Sequence, residues 1–168
     1  IRPEINNKVV LNVANEIVSF NVGYRVGEPV TYIGRNTDEG VADGVIRLND
    51  YMFAEDKASQ DQEIVEWQNI CGTSYRIVLP DSGEEDDSPF ELYTLDPRDT
   101  FVAYSTRLGN EPLFGATYYK VEDGYEMTVY TADTVYTITG RYGPLLNGKG
   151  MIVRSEPHLL GMVPIFEY

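Results

Sequence analysis

The 168 residues, 42% of them hydrophobic, suffice for one domain with one core, burying roughly 70% of the surface that the unfolded chain exposes. A formal charge of −14, with 13 Lys and Arg among the charged residues, argues against a primary nucleic-acid-binding surface and against anionic membranes, because phosphate contacts need cations. Cys71 stands alone, so no disulfide forms within the chain and stability rests on packing; no apolar run approaches the ~20 residues of a membrane span.

In chain order, residues Ile5 to Val22 read as the first helix, with Lys8, Asn12, Asn15 and Ser19 on one narrow polar face. Most of the remaining circumference is apolar: Ile5, Val9, Val13, Ile17 and Phe20 on one side, Leu11, Ala14, Val18 and Val22 on another. A stripe this wide calls for neighbours on two sides, either within the domain or with one side against another subunit. Gly23 and Gly27 punctuate the exit. Gly27-Glu28-Pro29-Val30 then reads as a turn into a short edge strand at Thr31-Tyr32-Ile33, because proline cannot donate to a central ladder. A second helix is expected from Val41 or Val45 to Ala54. A third runs to Cys71, started by a capping-box pattern at Ser59 with Gln62 three residues on, and presents Ile64, Trp67, Ile70 and Cys71 as its apolar face. Gly72 stops it.

Beyond Gly72 the period switches from helical to two. Strands are expected at Tyr75 to Leu79, Phe90 to Leu95, Phe101 to Tyr104, Ala116 to Val121, Tyr125 to Tyr130, Thr134 to Thr139, Met151 to Arg154 and Val163 to Glu167. Asp123-Gly124 is the strongest hairpin signal and Asn147-Gly148 the next, since a type I′ turn needs positive φ at both central positions. The expected fold is α+β: about three N-terminal helices packed on a mainly antiparallel β-sheet, as a single domain over residues 1–168. Its helical part covers about 1–72 and its β-rich part about 73–168. The 13 tyrosines fall mostly in strands, half buried by the alternation.

Chemistry finds little purchase. The single imidazole, His158, follows Pro157 in a loop and lies far in sequence from Cys71, whose place at the end of an amphipathic helix predicts a structural thiol. The Asp81 to Asp87 cluster lacks the alternating ligand spacing and closing Glu of a helix-flanked calcium loop and reads as a solvated turn. Gly140 to Gly150 sits between strands rather than at a strand-to-helix phosphate cradle. In Asp96-Pro97-Arg98-Asp99, Asp96 is expected to bond local backbone amides, with Arg98 pairing a neighbouring acid. No catalytic, cofactor-binding or metal-ligating residue is assigned, and no cofactor is expected.

The order of elements carries more. A long helix leads to Gly27-Glu28-Pro29-Val30, a later one to Gly72 and Tyr75-Arg76-Ile77-Val78, an acidic hairpin to Leu95-Asp96-Pro97-Arg98, and the chain closes on His158 and Gly161-Met162-Val163-Pro164-Ile165. This resembles the portal proteins of long-tailed bacteriophages and prophages over nearly the whole chain, and in particular the first half of their peripheral, wing region. The resemblance implies a non-catalytic component of the virion, assembled in the host bacterial cytoplasm. It forms a ring, usually dodecameric, at one vertex of the head, which contacts capsid or scaffold, terminase and neck proteins. DNA passes through the channel without specific binding, and no membrane is involved. The chain starts on Ile1 and ends on Ile165-Phe166-Glu167-Tyr168, so it reads as a piece of something longer, without the channel-lining elements. Two other readings remain: a carbohydrate- or surface-binding β-rich module, favoured if several tyrosines share one exposed flat patch, and a small hydrolase built on Cys71 or an acidic pair.

Overall fold

The computed structural model describes residues 11–35, 39–81, 88–122, 124–141 and 151–168. Among these residues three helices precede eight strands: α1 Val13–Val26, α2 Glu39–Ala54, α3 Lys57–Cys71, β1 Tyr75–Pro80, β2 Phe90–Leu95, β3 Thr100–Tyr104, β4 Pro112–Val121, β5 Gly124–Tyr130, β6 Thr134–Arg141, β7 Met151–Pro157 and β8 Ile165–Glu167. The α+β class is as expected, but the strands divide into two antiparallel sheets. A small sheet has the order β2-β1-β8 and a large one the meander β3-β4-β5-β6-β7. The division arises because the last strand returns to the first: Ile165 pairs with Ile77 and Glu167 with Tyr75. The pairing is locked by reciprocal backbone hydrogen bonds between Ser74 and Tyr168.

Local chemistry sets the helix ends. The Asn12 side chain accepts from the Asn15 amide and caps α1, which therefore starts later than the apolar periodicity suggests; residues 5–10 of the expected helix lie outside the described residues. The helix also runs through Gly23 and stops at Gly27, correcting the expected exit. At the end of α3, Gly72 takes the left-handed conformation (φ 79°) and its amide returns to the Gln68 carbonyl, the C-terminal cap that glycine allows without a Cβ penalty. The start of α3 differs from expectation. Asp56 is the N-cap, in left-handed conformation, and Ser59 lies inside the first turn with its hydroxyl on the Asp56 carboxylate. The segment Thr31 to Ile33 is not a strand. Among the described residues no partner strand lies beside it, and the Asn49 side chain takes that place, accepting from the Tyr32 amide at 2.9 Å and donating to the Tyr32 carbonyl at 3.0 Å.

The layers stack in the order α1, α3, small sheet, large sheet. Asn21 of α1 bonds Asn69 of α3, and Arg25 reaches Gln68. From α3, Gln60 donates to the Leu92 carbonyl of β2 at 2.8 Å, and Asp61 meets Arg76 of β1 at 2.7 Å. On the opposite face of the small sheet, Tyr75, Ile77, Val163 and Ile165 form the core, with Leu79, Leu95, Val102 and Tyr130 packed against them. Val102 and Tyr130 both pair with Gly115, so the large sheet meets the small one around that glycine. Gly115 is buried, and a Cβ built there would lie 2.9 Å from Ile165. Only a residue without a side chain lets the two sheets approach this closely.

Candidate functional surface

The structure separates the residues that a catalytic reading would join. Cys71 is exposed, against the expectation of a buried structural thiol: α3 buries Ile64 and Val65 instead, and Ile70 is exposed as well. Of the expected Ile64, Trp67, Ile70 and Cys71 stripe, Ile64 is buried and Trp67 half-buried, whereas Ile70 and Cys71 are exposed and Val65 is buried instead. His158 is half-buried and has both ring nitrogens on backbone: Nε2 lies 3.0 Å from the Thr131 carbonyl, and Nδ1 accepts from the Leu160 amide at 3.4 Å. With its own amide on the Asp133 carbonyl, His158 clamps the β5–β6 turn to the end of β7.

The Asp96 to Asp99 corner is turn chemistry, as its sequence implies. Asp96 accepts from the Arg98 amide at 2.9 Å and from Arg98 Nε at 2.9 Å, and the Arg98 guanidinium, hydrogen-bonded to it, holds the Asp96 carboxyl below the usual carboxylate range. The same guanidinium lies 5.2 Å from the Trp67 ring centroid, which fixes the corner to α3. Residues 82–87 of the acidic turn, Asp123, and residues 142–150 of the glycine-rich stretch lie outside the described residues. Among the described residues, no group of three or more His, Cys, Asp or Glu is placed to hold a metal ion.

Two polar clusters tie layers together. Asp61 on α3 pairs with Arg76 of β1 and with Lys57 one turn earlier, in a setting where the Arg76 and Asp61 side chains are only 7% and 14% exposed. At the junction of β1, β3 and β8, Glu167 accepts from the Tyr75 hydroxyl at 3.4 Å and from Thr73 at 3.2 Å, and its carboxylate also acts on the Tyr104 phenol. The Tyr104 phenol is pushed up to about 12, first by partial withdrawal of its hydroxyl from water and then by the Glu167 carboxylate. Burial likewise raises Tyr75. Both clusters bridge elements, which is a structural use of charge.

The surface is notable for apolar area left open. No residue of α1 is buried: Val13, Ile17, Phe20 and Tyr24, at i, i+4, i+7 and i+11, form a ridge directed away from α3. Ile17 is 57% exposed and Phe20 71%, and the Phe20 and Tyr24 rings stack at 6.2 Å. Ile17 is therefore not a core residue of the described structure: of the two covers expected for the first helix, within the domain or by another subunit, the described residues of the domain supply none over this ridge. The large sheet shows the same condition. Its register places Phe101, Phe114, Ala116, Met127, Val129, Ile138 and Ile152, with Tyr118, Lys120, Tyr125 and Tyr136, on the face away from the small sheet; of the aliphatic and phenylalanine side chains there, Phe101 and Ile152 are exposed, Ala116 is buried and the others are half-buried. The other face carries Thr117, Thr128, Thr137, Glu126 and Arg154. An open groove of about 380 Å³ is lined by Pro29, Val30, Met52, Phe53 and Ala58 together with Thr31, Asn49, Asp50, Asp56 and Lys57.

The molecule thus pins α3 to the small sheet with one internal ion pair and turns apolar side chains outward on α1 and the large sheet. The chain belongs to the phage portal protein family of the SPP1 Gp6-like type, whose family model matches residues 2–168. No curated protein matches it. Family membership gives it a structural role in a phage portal, as a component of the virion within an oligomeric ring that works with capsid and other phage proteins; the family is in general not catalytic. Among the described residues no helix is long and apolar enough to cross a membrane.

Proposed function

We propose that the chain is a single wing-like domain of a portal subunit at one vertex of the phage head, in a ring expected to be dodecameric. The match of the portal family over residues 2–168 carries this reading, because it spans almost all of the chain rather than one motif. In this role the domain supports the passage of DNA during packaging and ejection and the joining of head to tail. Terminase and neck proteins are engaged through the complete portal polypeptide, which assembles in the host cytoplasm. The charge of −14 suits such a place, since it repels the phosphates of DNA that must slide past without being held. No residue is assigned a catalytic, cofactor or metal role.

The test is the mass in solution of the portal polypeptide carrying this domain, by light scattering or native mass spectrometry, beside that of the 168 residues alone. A ring-sized particle for the longer polypeptide supports the proposal. A longer polypeptide that stays monomeric up to the concentrations of assembly refutes it.

For the carbohydrate-binding alternative, the exposed tyrosines among the described residues, Tyr24, Tyr93, Tyr104, Tyr119 and Tyr168, are distributed over α1, β2, β3, β4 and the segment after β8, whereas Tyr118, Tyr125 and Tyr136 share one face of the large sheet but are half-buried there.

A further inference from the structure

We propose that the ridge of α1 docks on the open face of the large sheet of a neighbouring copy of this chain, as a head-to-tail contact repeated around a ring. The inference rests on the portal reading above and adds to it which surfaces meet. A helix with an apolar stripe and a sheet with an apolar face each need a covering layer, and helix on sheet is one of the few stable solutions. Here the two faces cannot satisfy each other within one chain. The ridge of Val13, Ile17, Phe20 and Tyr24 looks away from α3 at one end of the stack, while Phe101, Phe114, Val129 and Ile152 look away from the small sheet at the other. A cyclic ring requires that each subunit present two different surfaces that fit one another, and these are two such surfaces on opposite sides of one molecule.

The areas are of the right size. Two aromatic side chains at roughly 150–250 Å² each, with Val13 and Ile17 beside them, remove roughly 400–600 Å² from water on the helix side. A matching area on the sheet brings the contact to roughly 800–1,200 Å², at the threshold of about 1,000 Å² for a specific interface. On the ridge the Phe20 and Tyr24 rings are stacked at an interplanar angle of 11°. None of the ridge positions or of the named sheet positions is charged; Glu16 flanks the ridge and Lys120 lies on the same face of the sheet.

Two exposed positions test the pairing without touching the core: Phe20→Glu on the ridge and Ile152→Glu on the sheet, with Ile17→Glu and Phe101→Glu as second variants at each face. Far-ultraviolet circular dichroism and melting identify any variant that fails to fold, which is then replaced by its second. Association is followed by analytical ultracentrifugation. Each folded variant is expected to self-associate at least about 100-fold more weakly than the parent, because an unpaired carboxylate is carried into an apolar contact. The deciding sample is the equimolar mixture. The ridge variant keeps an intact sheet and the sheet variant an intact ridge, so the mixture forms heterodimers that grow no further. A mixture that stays monomeric, variants that assemble like the parent, loss of association only with the ridge variant, or a parent chain that does not associate each overturns the pairing. The ring reading stands or falls separately on the mass of the longer portal polypeptide.

Discussion

Replacing Asp61 with alanine tests how α3 is held to the small sheet. The Asp61 carboxylate meets Arg76 at 2.7 Å in a site where the two side chains are 14% and 7% exposed, and Arg76 already has an unpartnered Nε. Removing the acid leaves the guanidinium, and Lys57 beside it, without a counter-charge. Breaking one side of a buried pair typically costs 3–5 kcal/mol; the Tyr168 ring, 5.9 Å from the Arg76 guanidinium, and the ability of Lys57 to extend into water place the expectation near the low end, about 3 kcal/mol. For a chain of this size that is a fall in Tm of roughly 6–12 °C. The double variant Asp61→Leu with Arg76→Met should recover most of the loss, because a buried ion pair replaced by apolar groups of similar volume is often neutral. Urea and thermal unfolding by circular dichroism measure all three, with Glu156→Ala as the control, since the Arg154–Glu156 pair is exposed and should change stability by less than about 1 kcal/mol. If Asp61→Ala loses no more than that control, or if the double variant is as unstable as the single, the pair does not hold the layers together and the stacking described above loses its main polar tie.

Two further outcomes are expected. Gly115→Val should lower stability by about 1–3 kcal/mol through overpacking against Ile165, and Ile165→Ala in the same chain should be less harmful than in the parent; additive losses on urea unfolding would disprove the contact. Tyr104 should titrate near about 12 by phenolate absorbance, and Glu167→Gln should bring it down. Its folded pKa is raised above the unfolded value of about 10, so the stability it contributes is complete below pH ~10 and is lost as pH rises through about 12. Tyr104→Phe should flatten that part of the alkaline profile, and an unchanged profile would count against the cluster.

What the sequence alone determined was set by chemistry within a few residues. Gly72 closing α3, the Asp96 turn and the two-residue period after Tyr75 follow from backbone preference and from side chains bonding their own neighbours, which is why the strand positions were legible to within a few residues. The portal resemblance also lay in the order of these local signals. Burial was a different matter, because periodicity says which residues share a face but not what covers it. The apolar spacing that called for neighbours on two sides of the first helix leaves a ridge that the described residues do not cover, Ile70 and Cys71 end α3 in solvent, and Thr31 to Ile33 found an asparagine side chain where a strand was expected. The tertiary structure also decided that eight strands make two sheets, since β8 pairs with β1 across most of the chain and Gly115 lets the sheets close on Ile165. Those contacts join residues distant in sequence, and they depend on which surfaces are brought together rather than on the preferences of any one segment.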